Sequence, residues 1–531
     1  MNKNIQFLKQ KFTEKPLLVI MIVAIIPRLI AAIFAKGYGM HDDAFLPVQT
    51  MQEMLDNFDV VYNNAPNLLL YPLMQYFTFA ICEFFNIFDP QIKMYVVRFL
   101  HSIYSLLTVY LGYKITLKIS NEKNAKYVGI ILALLWMLPY MSVRNLVEVV
   151  VMPPMLAGIY YILKYNLENK NNTEHLDSSG LEQNNDFKQI NDFKQNKQIK
   201  QSSKKYLIIA GIFLGIAFSI RFQSAFVPFG IGLVMLYQRQ FKSFAILTLS
   251  AIFISSLFLG IFEYILWEKP FWSLINYWEI NTGADVYTYP TNSWYMTTVL
   301  VIGVLIPPMS LFWLFGYLRT WKEHLLLFLP VLLFLIFHSA YPNKQERFIL
   351  TIIPLLVILC VIGWNNFVEK SEWWNRHKKF LKGQWIWFWS INTILLLVFI
   401  FSYSKRTRVE SFTYLSHKQV TGIVIEMNED GTYFPPIFYL GENRNKPLYL
   451  LYKNYEALEF EQQFNEKGNP NYVIFFDENE LQSRVERFEK NYHCDLIFEK
   501  EIGSGLIDRV LHFTNPKHNK NYTAYIYEVV K

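Results

Sequence analysis

Apolar runs of bilayer-crossing length alternate with short polar connections over most of the chain. Crossing takes roughly 17–25 residues of helix. Runs of about this size cover 16–36, 93–113, 127–143, 146–164, 205–221, 223–238, 243–266, 295–317, 324–340, 348–364 and 384–403, which predicts eleven spans. A twelfth apolar stretch, 68–88, begins Leu68-Leu69-Leu70-Tyr71-Pro72 and carries Glu83 among several aromatics. It reads as an interfacial or half-buried helix. The segment 166–204 is dominated by Asn, Gln and Lys, with a near-repeat (Asn185-Asp186-Phe187-Lys188-Gln189, then Asn191-Asp192-Phe193-Lys194-Gln195). Such a composition buries no core, so a disordered cytoplasmic insertion is expected. After the last span the pattern changes. Strand-like runs at Val420–Glu426, Tyr472–Phe476 and Tyr522–Val530 mix with amphipathic helical ones at Leu458–Glu466 and Glu478–Tyr492. The expected architecture is a mainly α-helical polytopic membrane protein of about 11–12 transmembrane helices. Residues 1–403 form the membrane domain, and 404–531 form a small soluble α/β domain.

Composition sharpens this picture. Of 531 residues, 53% are hydrophobic and 18% charged, where a globular chain has about 25% charged. The net charge of +7 sits mostly in loops beside apolar segments, so it orients the chain in a bilayer rather than marking a nucleic-acid binder. Cys82, Cys360 and Cys494 are too scattered for a disulfide framework or a zinc site. The first apolar run lacks a small-residue cleavage site and should remain as a helix.

Basic residues then fix the expected orientation. Lys3, Lys9, Lys11 and Lys15 put the N-terminus in the cytoplasm. If 68–88 does not cross, the connections 114–126, 165–204, 238–242, 318–323 and 365–383 are cytoplasmic, and each is rich in Lys or Arg. An odd number of spans puts the C-terminal domain outside. On that same outer face fall His41-Asp42-Asp43, Arg98, Arg144-Asn145 with Glu148, Arg221-Phe222-Gln223, and Asn343-Lys344-Gln345-Glu346-Arg347.

Ionisable groups at a membrane edge are costly, and are functional or mutually paired. A carboxylate of Asp42-Asp43 suits a general base, and two together also suit a cation. Asp43 equally suits an N-cap for 44–57. Arg221, Lys344 and Arg347 suit a phosphate cradle. They also suit snorkelling, or pairing with Glu148, Glu263 and Glu346. Aromatics crowd 264–295, including Tyr289 and Trp294, either as an interfacial belt or as a sugar-stacking surface.

Taken in order, these motifs resemble glycosyltransferase family 22, the polyprenyl-phosphate-mannose-dependent α-mannosyltransferases with the GT-C fold. Asp42-Asp43-Ala44-Phe45 resembles the family's acidic pair and aromatic after the first span. Arg98-Phe99-Leu100-His101, Asn145-Leu146-Val147-Glu148 and Arg221-Phe222-Gln223 resemble later motifs. Tyr289-Pro290-Thr291-Asn292-Ser293-Trp294-Tyr295 resembles the family's aromatic loop. Asn343-Lys344-Gln345-Glu346-Arg347-Phe348 resembles its His-Lys-Glu-x-Arg-Phe, followed here by Pro354-Leu355. Asn343 and Gln345 depart from that pattern, and Met141 stands where the family has Arg, with Arg144 nearby.

The resemblance implies an inverting transfer at the outer face of a bacterial cytoplasmic membrane. The donor is a lipid-linked sugar and the acceptor a glycan or glycolipid. Asp42 or Asp43 is the base, and Arg221, Lys344 and Arg347 hold the donor phosphate. His41, Arg98, Arg144, Asn145, Glu148, Gln223, Tyr289, Trp294, Asn343 and Glu346 are expected to support the site. It implies no cofactor and no metal. A flippase of lipid-linked glycans or a non-catalytic assembly subunit would share the spans, but transporters typically show internal repeats, and none is visible here.

Overall fold

The structure is a computed structural model that describes residues 10–39, 43, 45–57, 70–179, 204–282, 291–427, 434–452, 468–514, 516 and 522–530. Among these, six helices are long and apolar enough to cross a membrane: Pro16–Phe34, Pro90–Ile119, Val147–Asn169, Phe241–Trp267, Glu346–Lys370 and Lys378–Ile400. A seventh crossing is available if Met296–Val304 and Met309–Arg319, bent by 112° at Pro307-Pro308, act as one span. The other predicted runs are helical but shorter or broken. Phe222–Tyr237 and Leu325–Ala340 are short apolar helices. The run 127–143 divides into Glu122–Leu134 and Met137–Ser142. Buried Asn392, on the last span, satisfies that break. It accepts from Trp136 N at 2.9 Å and donates to Leu134 O at 2.8 Å. Irregular backbone at membrane depth persists only where protein groups complete its hydrogen bonds.

Local signals explain several helix starts. Asp89 caps Pro90–Ile119 by accepting from Ile92 N, with Pro90 in the first turn. Asn121 caps Glu122–Leu134 by accepting from Asn124 N. The predicted disordered insertion differs in part. Met152–Ser179 continues as helix into it, and 180–203 lies outside the described residues.

Buried Arg28 ties the first three of these helices together. Its guanidinium donates to Ser105 Oγ on Pro90–Ile119 and to its own-helix carbonyl Ala24 O. It also donates to Ala133 O and Leu132 O at the end of Glu122–Leu134. A cation there satisfies the last carbonyls of a helix and complements its dipole.

The ambiguous stretch 68–88 contains the helix Leu70–Phe84. It buries Tyr71, Gln75, Phe79 and Cys82 on one stripe and exposes Met74, Phe77, Ile81 and Phe84 on the other. Near its start, Tyr71 meets His101; near its end, Glu83 pairs with Lys93 at 2.6 Å. Lys93 and His101 are about 12 Å apart along one helix, at 1.5 Å per residue. The helix itself, at 15 residues, is shorter than a span needs, and it runs aslant beside Pro90–Ile119. The basic connections gather at one end of the bundle. Ile119, Asn166, Gln238 and Trp321 line a common groove, and Lys123 pairs with Glu369 at 2.7 Å.

The C-terminal domain is a five-stranded sheet of order β2-β1-β3-β5-β4. Its strands are β1 (Ile423–Met427), β2 (Leu448–Leu451), β3 (Tyr472–Phe476), β4 (Asp495–Ile502) and β5 (Ala524–Val530). β1 runs parallel to β2 and β3, and β5 antiparallel to β3 and β4. Leu481–Tyr492 is helical as expected, while Leu458–Glu466 lies outside the described residues. Inside the domain, buried Glu426 of β1 pairs with Arg484 at 2.7 Å.

The domain is not a separate body. Phe412, Ile423, Phe438 and Ile474 share one apolar core with Tyr38, Phe79, Met94 and Val97 of the membrane part. Phe79 stacks on Phe438 at 5.2 Å, Arg444 pairs with Asp56, and Ser404 N donates to Lys36 O. Gly37 is required at this seam. Its φ is +78°, and a Cβ would lie 1.8 Å from Ser404 O.

Two glycines permit a close contact between Met309–Arg319 and Ile353–Lys370. A Cβ on Gly363 would sit 2.0 Å from Gly316 O, and one on Gly316 would sit 2.5 Å from Trp364 N. Small residues allow such backbone approach in membrane helices. Gly363→Ala should therefore lower stability by about 1–3 kcal/mol through overpacking, measured by thermal unfolding in detergent. Gly383→Ala, with nothing within 4 Å of the added Cβ, should be neutral or slightly stabilising.

Candidate active site

The end of the first helix is held by two buried arginines from elsewhere in the chain. Arg98 Nε donates to Ala32 O at 2.8 Å. Arg144 Nη1 donates to Lys36 O at 3.0 Å and to Gly37 O. Those carbonyls lead directly toward Asp43, which is only 2% exposed and accepts from Gly39 N at 3.0 Å. Asp43, Arg98, Arg144 and Asn145 line one small cavity of about 10 Å³, room for roughly one water. Nη1 and Nη2 of Arg98, and Nε and Nη2 of Arg144, make no hydrogen bond among the described residues. Buried guanidinium groups left in that state call for an anion, and Asp43 is the carboxylate lining the same cavity.

Tyr439 of the C-terminal domain forms another wall. Burial pushes its hydroxyl up to about 12, with Arg98 and Arg144 pulling the other way. Below the cavity runs a polar chain. His101 Nδ1 lies 3.1 Å from Arg144 O, and its Nε2 lies 3.2 Å from Tyr71 Oη. Tyr71 in turn donates to Asn145 Oδ1 at 3.4 Å and accepts from Gln75.

A second cluster gathers around Glu148, which is fully buried. Arg221 Nη1 lies 2.9 Å and Arg347 Nε 3.4 Å from Glu148 Oε1. Both guanidinium groups face the Phe348 ring, at 5.2 and 5.7 Å from its centroid. Arg347 also donates to Gln345. Arg221 Nε and Nη2 make no hydrogen bond to protein. Gln223 donates to Tyr277 Oη. Tyr71 lies within electrostatic reach of both Asp43 and Glu148, so the two clusters occupy neighbouring parts of one end of the bundle.

The remaining predicted residues sort as follows. Lys344 is folded in, donating to Asn292 O at 3.0 Å and Tyr341 O at 2.6 Å. Asn343 is buried and bridges Thr291 through its backbone. Glu346 is exposed, outside both clusters. Trp294 is 72% exposed, edge-on to Tyr295, and joins neither cluster. Glu263, expected as a counter-ion for the basic groups, instead accepts from Ser273 N and Oγ. His41, Asp42 and Tyr289 lie outside the described residues. Sequence reasoning missed Tyr71, Tyr277 and Tyr439 as site residues. A lone tyrosine in an aromatic-rich chain carries no pattern that would single it out.

These features define a multi-pass membrane protein with acidic and basic groups clustered at one end of its bundle and a docked α/β domain. Solved structures share this fold at low identity. ArnT from Cupriavidus metallidurans bound to undecaprenyl phosphate superposes with TM-score 0.57 and 10% identity, covering 96% of this chain and 97% of that one. An Archaeoglobus fulgidus oligosaccharyltransferase tethered with an acceptor peptide containing the NVT sequon gives 0.52 and 10%, covering 88% and 69%. Both are GT-C glycosyltransferases, and the fold is GT-C. No curated protein matches the sequence. The chain belongs to the Alg9-like mannosyltransferase family, whose model matches residues 62–426, and it is a membrane glycosyltransferase. Arg98, Arg144, Glu148, Arg221 and Arg347 fall inside the matched region; Asp43 and Tyr439 fall outside it.

Removing the acid from the second cluster should be costly. Glu148→Gln leaves buried Arg221 and partly buried Arg347 without their carboxylate, and should destabilise the protein by about 3–5 kcal/mol. Exposed Glu346→Gln should change stability by less than about 0.5 kcal/mol. Thermal unfolding of both variants in the same detergent checks the contrast.

Proposed function

We propose that this protein transfers a mannosyl group from polyprenyl phosphate to a glycan or glycolipid hydroxyl, at the outer face of the membrane, in one inverting step. The acceptor oxygen attacks the anomeric carbon, the bond to phosphate breaks, and polyprenyl phosphate leaves. A carboxylate of the Asp42-Asp43 pair takes the acceptor proton. Arg221 and Arg347 face the charge that grows on the leaving phosphate, while Lys344, donating to Asn292 O and Tyr341 O, braces the loop beside them.

The observation that carries this reading is the adjacency of the Asp43 cavity to the Glu148–Arg221–Arg347 cluster. A carboxylate beside two guanidinium groups at one end of the bundle suits an acid–base role next to a phosphate site. Arg221 retains two unpaired nitrogens for phosphate oxygens, and Glu148 holds the two guanidinium groups in place until a phosphate arrives. Family membership supports mannose as the sugar. A polyprenyl-phosphate carrier is supported by the undecaprenyl phosphate bound to ArnT in the same fold. Burial of Asp43 on Gly39 N favours Asp42 as the residue that takes the proton, with Asp43 anchoring the loop. Lysine-rich connections at the opposite end of the bundle support the orientation.

The test uses protein reconstituted in liposomes, with sugar-labelled polyprenyl-phosphate mannose and a membrane glycolipid extract as acceptor. Asp42→Asn should cut kcat by about 10²–10⁴-fold, the usual contribution of a general base, while the donor KM stays near the wild-type value. A double Asp42→Asn, Asp43→Asn variant that kept full transfer activity would overturn the proposal.

A further inference from the structure

The helix Leu506–Thr514 carries an apolar face that no part of the described chain covers. Leu506, Val510 and Phe513 fall on one stripe, at i, i+4 and i+7, and all are exposed; Phe513 is 88% exposed. Ile507, about a quarter-turn round the helix, is buried. This is the pattern of a helix lying along an interface rather than in water.

Its position relative to the bundle is fixed. Asp508 accepts from the backbone N–H of Lys405 and of Arg406. Those residues follow within two turns of the end of the last span, Lys378–Ile400. Leu506 lines one groove of about 330 Å³ with Phe401, Lys36 and Arg406. Phe401, in turn, is exposed and packs on exposed Phe34, the last residue of the first helix, at 5.1 Å. The apolar stripe of Leu506–Thr514 is therefore continuous with the outward-facing ends of two membrane spans. Lys36, Arg406 and exposed Arg509 sit beside it, where phosphate headgroups lie.

We propose that Leu506–Thr514 is a membrane-contacting foot of the C-terminal domain, its Leu506–Val510–Phe513 face inserted among the lipids of the leaflet where the first and last spans end. The occupant is the lipid bilayer itself. The foot holds the domain down on the membrane, and with it the segment bearing Tyr439 over the Asp43 cavity. The inference does not depend on which sugar is transferred, or on whether any is.

The experiment places a nitroxide at Phe513→Cys or, as a reference, at exposed Glu486→Cys on the helix Leu481–Tyr492. The full chain is reconstituted in phosphatidylethanolamine and phosphatidylglycerol. The three native cysteines are buried, so labelling goes to the introduced one. Power-saturation spectra should show the Phe513 label reached by oxygen and shielded from a water-soluble nickel chelate, with the reverse at Glu486. Chelate access at Phe513 equal to that at Glu486, as a face awaiting a protein partner would give, overturns the proposal.

Discussion

Two guanidinium groups buried beyond the end of a helix organise this molecule. A helix ends with carbonyls that lack partners inside it, and near hydrocarbon an unmet carbonyl is expensive. Here Arg98, from the helix Pro90–Ile119, and Arg144, from the bend after Met137–Ser142, meet Ala32, Lys36 and Gly37. The same few residues receive the chain again after its last apolar helix, where Ser404 N donates to Lys36 O and Ser404 Oγ to Tyr38 O. First helix, the two arginines and C-terminal domain thus meet at one knot. Asp43 sits within it, and its burial follows from the charge the arginines bring.

A second constraint pairs buried opposite charges in two neighbouring clusters. Arg221 and Arg347 are held by Glu148, while Arg98 and Arg144 line the Asp43 cavity together with Asn145, three residues before Glu148. Two distinct charged clusters at one end of the bundle suit the proposed group transfer between two substrates, one beside the proton acceptor and one beside the leaving phosphate.

Much of the fold was legible because apolar length is a direct physical requirement of a bilayer. Every predicted span is helical, and the non-crossing reading of 68–88 agrees with the shortness of the helix Leu70–Phe84. What failed to show in the sequence depends on distant partners. The break after Leu134 exists because Asn392, far along the chain, completes its hydrogen bonds. Strands β2 and β4 were missed: β2 is only four residues long, and β4 is a largely exposed edge strand with charges interleaved. Ionisable residues near the ends of apolar runs picked out Arg98, Arg144, Glu148, Arg221 and Arg347, which the structure gathers into two clusters, because burying charge needs a reason. Aromatic crowding was a poor signal, since Trp294 points outward while isolated Tyr71 and Tyr439 line the interior.

The central claim is that these two clusters serve one transfer from a lipid-phosphate donor. Wild-type protein in liposomes, given mannose-labelled polyprenyl phosphate and a glycolipid acceptor, should yield labelled glycolipid and free polyprenyl phosphate in equal amounts. Label that stays on the donor, or that merely moves with it to the other leaflet, would contradict the account.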